Sequence, residues 1–168
     1  MIESCMYWAE RGRLAGSCMP GDLGDLIRVR SSGVRRVVVL PEDYEIADRW
    51  GSSSAYFEAL SALGLEFLHE PVPDMEAPTL EQLLEILRWI REGPTLVHCV
   101  GGLGRTGTVV ASWLVVERGM SAREAIERVR SLRPGSVQSY SQHLFLVKVE
   151  GMRERIRALL EGGLTSSA

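Results

Sequence analysis

The chain is poor in several things, and each shortage excludes something. It has no asparagine and a single lysine, Lys148, so arginine carries nearly all of its positive charge. That bias is shared by thermophiles and by GC-rich genomes. No stretch of 18 apolar residues occurs, which excludes a membrane-spanning helix. Residues 1–19 include Glu3, Glu10, Arg11 and Arg13 and lack a long apolar core, so no secretory leader is expected. Basic residues are not in excess: 19 Lys and Arg against 22 Asp and Glu leave a net charge of −3. A general binder of nucleic acid or of anionic membranes would need the opposite balance. Three cysteines (Cys5, Cys18 and Cys99) are too few for a disulfide framework. They are expected as free thiols in a reducing compartment, with Cys5 and Cys18 as small buried hydrophobes and Cys99 open to a reactive role. With no targeting signal visible, a cytoplasmic location is the default expectation.

What is present fits one folded unit. At 168 residues and 45% hydrophobic, the chain can bury a single core and hardly two. The β-branched run Val34 to Leu40 predicts a buried strand, Leu65 to Val72 a second ended by Pro71 and Pro73, and Thr95 to Val100 a short interior third. Leu80, Leu83, Leu84, Leu87 and Ile90 share one helical face, with Thr79 and Gln82 as a capping box. Ser121 and Glu124 form another box before Ala125, Ile126 and Val129. Helices are also expected over Gly21–Arg30, Ser52–Leu63 and Val109–Arg118. One long helix is expected from Tyr140 to Leu160, with Leu144, Val147, Ile156, Leu159 and Leu160 turned inward. The order predicts a single α/β domain over 1–161, with a central, mostly parallel sheet flanked by helices and a helical C-terminal half. Residues 162–168 read as a tail. The four tryptophans (Trp8, Trp50, Trp89 and Trp113) are expected in core or half-buried packing.

The chemistry gathers in HCVGGLGRTGT, residues 98–108. This segment follows a predicted strand and opens a helix, the place where open α/β sheets bind ligands. Its glycines let the backbone turn tightly and present N–H groups as an anion cradle. Gly102, Gly104 and Gly107 satisfy a dinucleotide fingerprint, but the next predicted element is a helix rather than a strand. A Walker A loop fails because Thr108 stands where that loop needs its lysine. The remaining reading has a mechanism. Cys99 heads the loop where donors converge, which favours a nucleophilic thiolate. Arg105 offers a planar fork for two phosphate oxygens. The charge of a trigonal-bipyramidal transition state would be met by that fork and by the N–H groups of Val100, Gly101, Gly102, Leu103 and Gly104. Thr106 could hydrogen-bond the departing sulfur. His98 is expected to set loop geometry rather than to move protons.

The pattern H-C-x5-R-T resembles the signature of the protein tyrosine phosphatase superfamily. GRLAGSCMPG (12–21), VPD (72–74) and LRPGSVQSYSQ (132–142) add a resemblance to the small dual-specificity phosphatases, of the compact VHZ-like and archaeal type. The resemblance runs over roughly residues 8–150. It implies a metal-independent and cofactor-free cysteine phosphatase working through a cysteinyl-phosphate. A general acid would stand on the loop before the signature, and Asp74 fits that position, with Glu76 the nearest rival. Tyrosine-specific relatives carry Q-x-x-x-Q to position the hydrolytic water. Gln138 and Gln142 match the spacing, and Gln138 is the expected water-positioning residue.

The bland readings stand beside these. Asp74 could be a solvated carboxylate and the two glutamines polar residues at a helix start. His69 and His143 read as structural or exposed. Glu42 and Asp43 could reach substrate or Arg105, or could be first-turn acids suited to the helix dipole. The residues between Cys99 and Arg105 carry no charge, which disfavours phosphoinositides and RNA triphosphates as substrates. A phosphorylated protein or peptide is expected, with phosphotyrosine favoured by the glutamine pair, and phosphate or vanadate as simple ligands of the loop. A monomer is expected. A phosphopeptide-binding module without turnover, or a nicotinamide oxidoreductase, are the competing classes.

Overall fold

The computed structural model describes residues 1–162. A 3-10 turn at Ile2–Ser4 leads into a hairpin of β1 (Tyr7–Glu10) and β2 (Leu14–Ser17), followed by α1 (Leu23–Ser31). Then come β3 (Arg36–Val39), α2 (Asp43–Trp50), α3 (Ser53–Ala62) and β4 (Glu66–His69). The chain continues with α4 (Leu80–Arg91), β5 (Thr95–His98), α5 (Gly104–Arg118), α6 (Ala122–Leu132), α7 (Tyr140–Gly151) and α8 (Arg153–Gly162). The sheet order is β1-β2-β5-β3-β4. Only the β1–β2 pair is antiparallel. The predicted α/β class, with its mostly parallel sheet and helical second half, is what the molecule shows.

The period-two pleat divides the core. Val37, Val39, Ala15 and Leu96 face one side and pack with Leu26 and Val29 of α1, Ile46 of α2, and Tyr56 and Leu60 of α3. Val38, Leu40, Leu14 and Val97 face the other and meet α4 through α8. Both faces of the sheet are thus covered, so its inner strands are apolar without alternation. The middle strand β5 ends at His98, and α5 leaves from the same edge. That helix is buried from Gly104 through Val116, a central rod wrapped by α6, α7 and α8.

Three sequence expectations need correction. Cys5 and Cys18 are not free thiols: a disulfide joins them, tying the N-terminal turn to the end of β2, with Cα atoms 5.7 Å apart. Among the described residues only Cys99 is a free cysteine. The long C-terminal helix is two helices, parted at Met152. Of the residues expected to face inward there, Ile156 and Leu160 do, while Leu144, Val147 and Leu159 are exposed; α7 buries Gln142, Leu146 and Val149 instead. The hairpin β1–β2 is not among the expected strands, because Tyr7–Glu10 and Leu14–Ser17 contain none of the β-branched residues that mark β3 and β5. Both capping boxes form as read. The expected tail starts inside α8 at Gly162, and the rest of it, residues 163–168, lies outside the described residues.

Candidate active site

Cys99 sits 3% exposed at the end of β5, with the loop 100–103 curling over it. The Gly102 N–H points at its sulfur, 3.2 Å away. Gly102 has φ +75, and a Cβ there would stand 2.6 Å from Cys18 N and Ser17 C, so only glycine fits. Met19 N–H donates to Val100 O at 3.0 Å, and Arg133 Nη2 donates to Gly101 O at 3.1 Å. The loop is therefore held from outside at two successive carbonyls where it begins.

The start of α5 supplies the donors. The helix opens at Gly104 with Leu103 as N-cap and no side-chain cap. By contrast Asp22, Ser52, Thr79, Ser121 and Ser139 cap α1, α3, α4, α6 and α7 with a side-chain oxygen. The first backbone N–H groups of α5 are thus free to meet an anion, and the helix dipole favours one there. A cavity of about 250 Å³ lies in front of them, lined by Cys99, Val100, Gly101, Leu103, Gly104, Arg105, Asp74, Glu45 and Gln138.

Arg105 is fixed by a residue that the sequence reading did not single out. Nη1 and Nη2 donate to the two carboxylate oxygens of Glu45 at 2.7 and 2.8 Å, and Nη1 also donates to Val72 O at 2.9 Å. Those three bonds leave the Nε–H and the second Nη2–H of the guanidinium, which share one edge. That edge is the fork a phosphate would take. Burial disfavours the Glu45 carboxylate, but the Arg105 fork and the Glu42 N–H together outweigh it and hold its pKa below the ordinary value. Glu42 and Asp43, named as possible partners of Arg105, do other work. Glu42 precedes α2 and its N–H donates to Glu45 Oε1, while Asp43 accepts from Ser53 Oγ. The carboxylate that a helical turn carries toward the loop is Glu45.

Asp74 stands at the mouth of the cavity, 63% exposed, with Oδ1 3.5 Å from Arg105 Nη2. Glu76 is exposed and does not line the cavity. The loop bearing Asp74 is tied down from behind. Ser139 Oγ donates to Met75 O at 2.6 Å, and Gln142 Nε2 donates to Glu76 O at 3.1 Å. Met75 takes φ +67, a left-handed turn that an unbranched side chain tolerates at a cost. Gln138 lines the cavity, and a Cβ at Gly104 would come within 2.5 Å of its Oε1. Gln142 is fully buried; its Oε1 accepts from Gln138 N and Ser139 N. It braces the site rather than facing it.

His98 is wholly buried beneath Cys99. Its Nδ1 is 2.8 Å from Cys99 O and its Nε2 2.7 Å from Tyr56 Oη. A carbonyl only accepts, so Nδ1 carries the proton and Nε2 accepts from the tyrosine. Burial pushes the pKa of His98 down to about 4, keeping the ring neutral. It braces the carbonyl of Cys99 and so the start of the loop. Thr106 is brought to the back of the loop, where its Oγ1 is buried without a hydrogen-bond partner. The buried Tyr7 hydroxyl is in the same condition, and both residues crowd Gly16. Burial, with the nearby Cys99, pushes the Tyr7 phenol well above its usual range.

Three comparisons agree with this geometry. Residues 22–119 match the family described as "Polymorphic toxin system, DSP-PTPase phosphatase". The chain is 32% identical over 125 residues to protein tyrosine phosphatase domain-containing protein 1 of Bos taurus, which covers 68% of this chain and 16% of that protein. It is 34% identical over 116 residues to phosphatidylglycerophosphate phosphatase PTPMT2 of Arabidopsis thaliana, covering 66% of this chain and 48% of that protein. The chain thus spans from about a sixth to about half the length of these two relatives. Among solved structures, that of Tk-PTP in the active form superposes with a TM-score of 0.77 at 42% identity, covering 88% of this chain and 97% of that one. The chain belongs to the cysteine-based protein tyrosine and dual-specificity phosphatase superfamily.

Proposed function

We propose that this protein hydrolyses phosphate monoesters on protein side chains, phosphotyrosine before phosphoserine or phosphothreonine, through a cysteinyl-phosphate. The Arg105 geometry carries the reading: a buried guanidinium, forked by Glu45, presents its remaining edge to a cavity that Cys99 and the uncapped end of α5 also face. In the first step the Cys99 thiolate attacks phosphorus. The bond from phosphorus to the leaving oxygen breaks, and Asp74 gives that oxygen its proton. The three equatorial oxygens are met by backbone N–H groups of the loop and by Arg105. In the second step water attacks the phosphocysteine, Asp74 takes the water's proton, and the sulfur leaves as thiolate. Gln138 would orient that water, a role its position on the cavity wall supports. The Gly102 N–H is the donor at the sulfur, and Thr106 Oγ1, unpartnered behind the loop, would have to turn toward it to add a second.

A lipid phosphate is the second reading, raised by the PTPMT2 relative. Residues 100–104 carry no cation of their own and Arg133, the guanidinium beside them, is engaged with Gly101 O, which favours the protein substrate. The test is hydrolysis of p-nitrophenyl phosphate in EDTA. Wild type is expected to turn over, Cys99→Ser to be inert while still binding phosphate, and Asp74→Asn to lose roughly two to four decades of rate. Turnover persisting in Cys99→Ser would place the nucleophile elsewhere. Wild-type rates on a phosphotyrosyl peptide are expected to exceed those on phosphatidylglycerophosphate.

A further inference from the structure

A second and larger cavity, of about 510 Å³, opens beside the catalytic one and shares Val100 and Glu45 with it. Cys18, Met19, Tyr44, Asp48 and Arg49 complete its wall. A substrate whose phosphate reaches Cys99 must pass this wall with whatever flanks the phosphorylated residue. Resting on the phosphatase reading above, we propose that this cavity is a specificity subsite for an arginine or lysine side chain close in sequence to the phosphorylated residue. The aliphatic stem would lie on Tyr44, Met19 and Val100, and the cationic head would sit at Asp48.

Three observations support a cationic occupant. First, the wall is amphipathic in the way a long basic side chain is. Tyr44 is 65% exposed and Val100 42% exposed, while Asp48 is also open to solvent. An aromatic face next to a carboxylate suits an extended stem with a charged tip. Second, Asp48 has no salt bridge or hydrogen-bond partner among the described residues, whereas the other acids along α2 are engaged. Asp43 holds Ser53, and Glu45 holds Arg105. Third, the one cation in the wall is turned aside. Arg49 Nε donates to Gly21 O at 3.1 Å, and its guanidinium packs against Gly21. The field at Tyr44 is negative: Glu45 foremost, then slight burial and Glu42, raises its phenol above the ordinary value, and Arg105 offsets this only in part. An acidic flanking side chain would meet the Asp48 carboxylate, while the Arg49 guanidinium that could offset it is held at Gly21 O.

The experiment uses phosphotyrosyl heptapeptides with Arg, Leu or Glu placed in turn at each of the three positions on either side of phosphotyrosine. For each enzyme, kcat/KM is divided by that enzyme's own value on p-nitrophenyl phosphate, which has no flanking residue. Wild type is expected to prefer Arg over Glu about tenfold at one position or more. That factor is ~1.4 kcal/mol, within what one exposed ion pair and one cation–π contact supply together. Asp48→Lys is expected to abolish or invert the ratio, and Tyr44→Ala to lower the rates of the Arg and Leu peptides together. An Arg-to-Glu ratio near one at every position overturns the proposal, as does a preference that survives Asp48→Lys. Leu outrunning Arg would assign the cavity to an apolar side chain instead. Absence of wild-type turnover on p-nitrophenyl phosphate would overturn the phosphatase reading itself, and this proposal with it.

Discussion

At the scale of single residues, the site depends on a buried charge pair. Arg105 is 3% exposed and Glu45 11% exposed at their side chains, so neither charge can be left alone cheaply. Removing one member of such a pair costs about 3–5 kcal/mol, because the other stays buried without compensation. Glu45→Gln keeps the shape and loses the charge. It is expected to lower stability by about 3 kcal/mol, read by denaturant unfolding. It should also weaken vanadate binding, because the Arg105 fork would no longer be held toward the cavity. Unchanged binding with unchanged stability would mean that Val72 O alone orients the guanidinium. Arg105 and Cys99 were legible in the sequence because the glycines around them leave few other roles. Glu45 was not: it lies 60 residues away, in an amphipathic helix rich in acids, and only packing selects it from Glu42 and Asp43.

At the scale of elements, two tethers matter. The first joins the N-terminus of α7 to the loop of Asp74, through Ser139 and Gln142. Gln142→Leu would free that loop from behind while leaving Cys99 and Arg105 untouched. Misplacing a catalytic group by about 1 Å can cost on the order of 100-fold. The expected outcome is a fall in kcat of about 10-fold or more, with vanadate affinity within a factor of two or so of wild type. Equal losses in both would show that Gln142 supports the phosphate loop instead. The second tether is the Cys5–Cys18 disulfide, which closes a short loop of sequence separation 13. Loop-closure entropy for about 15 residues amounts to about 3 kcal/mol. Reduction is expected to lower Tm by about 10 °C. Alkylation of the unfolded, unreduced protein should add one label, and three after reduction. Three labels without reductant would show the pair to be open in solution. Spacing alone did not reveal the bridge, because residues 5 and 18 meet only once β1 and β2 fold back on each other.

At the scale of the whole molecule, stability against pH turns on His98. Its folded pKa, about 4, lies below its ordinary 6.5. The unfolded chain therefore takes up a proton near pH 6.5 that the folded chain refuses. Its contribution to stability is full above about pH 6.5 and is lost progressively as pH falls toward 4. Carboxylates held low by their partners, Glu45 and Asp25 among them, add their own losses only below the ordinary carboxylate range. In the window from about 6.5 to about 4.5 the histidine's loss is opposed, among the described residues, only by Glu70, whose carboxyl burial pushes above its ordinary value and which therefore gains stability as pH falls. Tm is expected to decline across it while one imidazole, followed by NMR, stays neutral. A His98 resonance titrating near 6.5 would remove this account.

The sequence by itself determined the class of fold and the glycine loop in which Cys99 and Arg105 meet. Local chemistry decides these: β-branched runs make strands, capping boxes start helices, and a glycine loop between β5 and α5 leaves N–H groups unpaired. Tertiary structure alone decided which acid holds Arg105, that Gln142 braces the Asp74 loop, that Cys5 meets Cys18, and that a second cavity opens beside the first. Each of these joins residues from separate elements. Their proximity is set by how helices pack on the two faces of the sheet, and no periodicity within one segment encodes that.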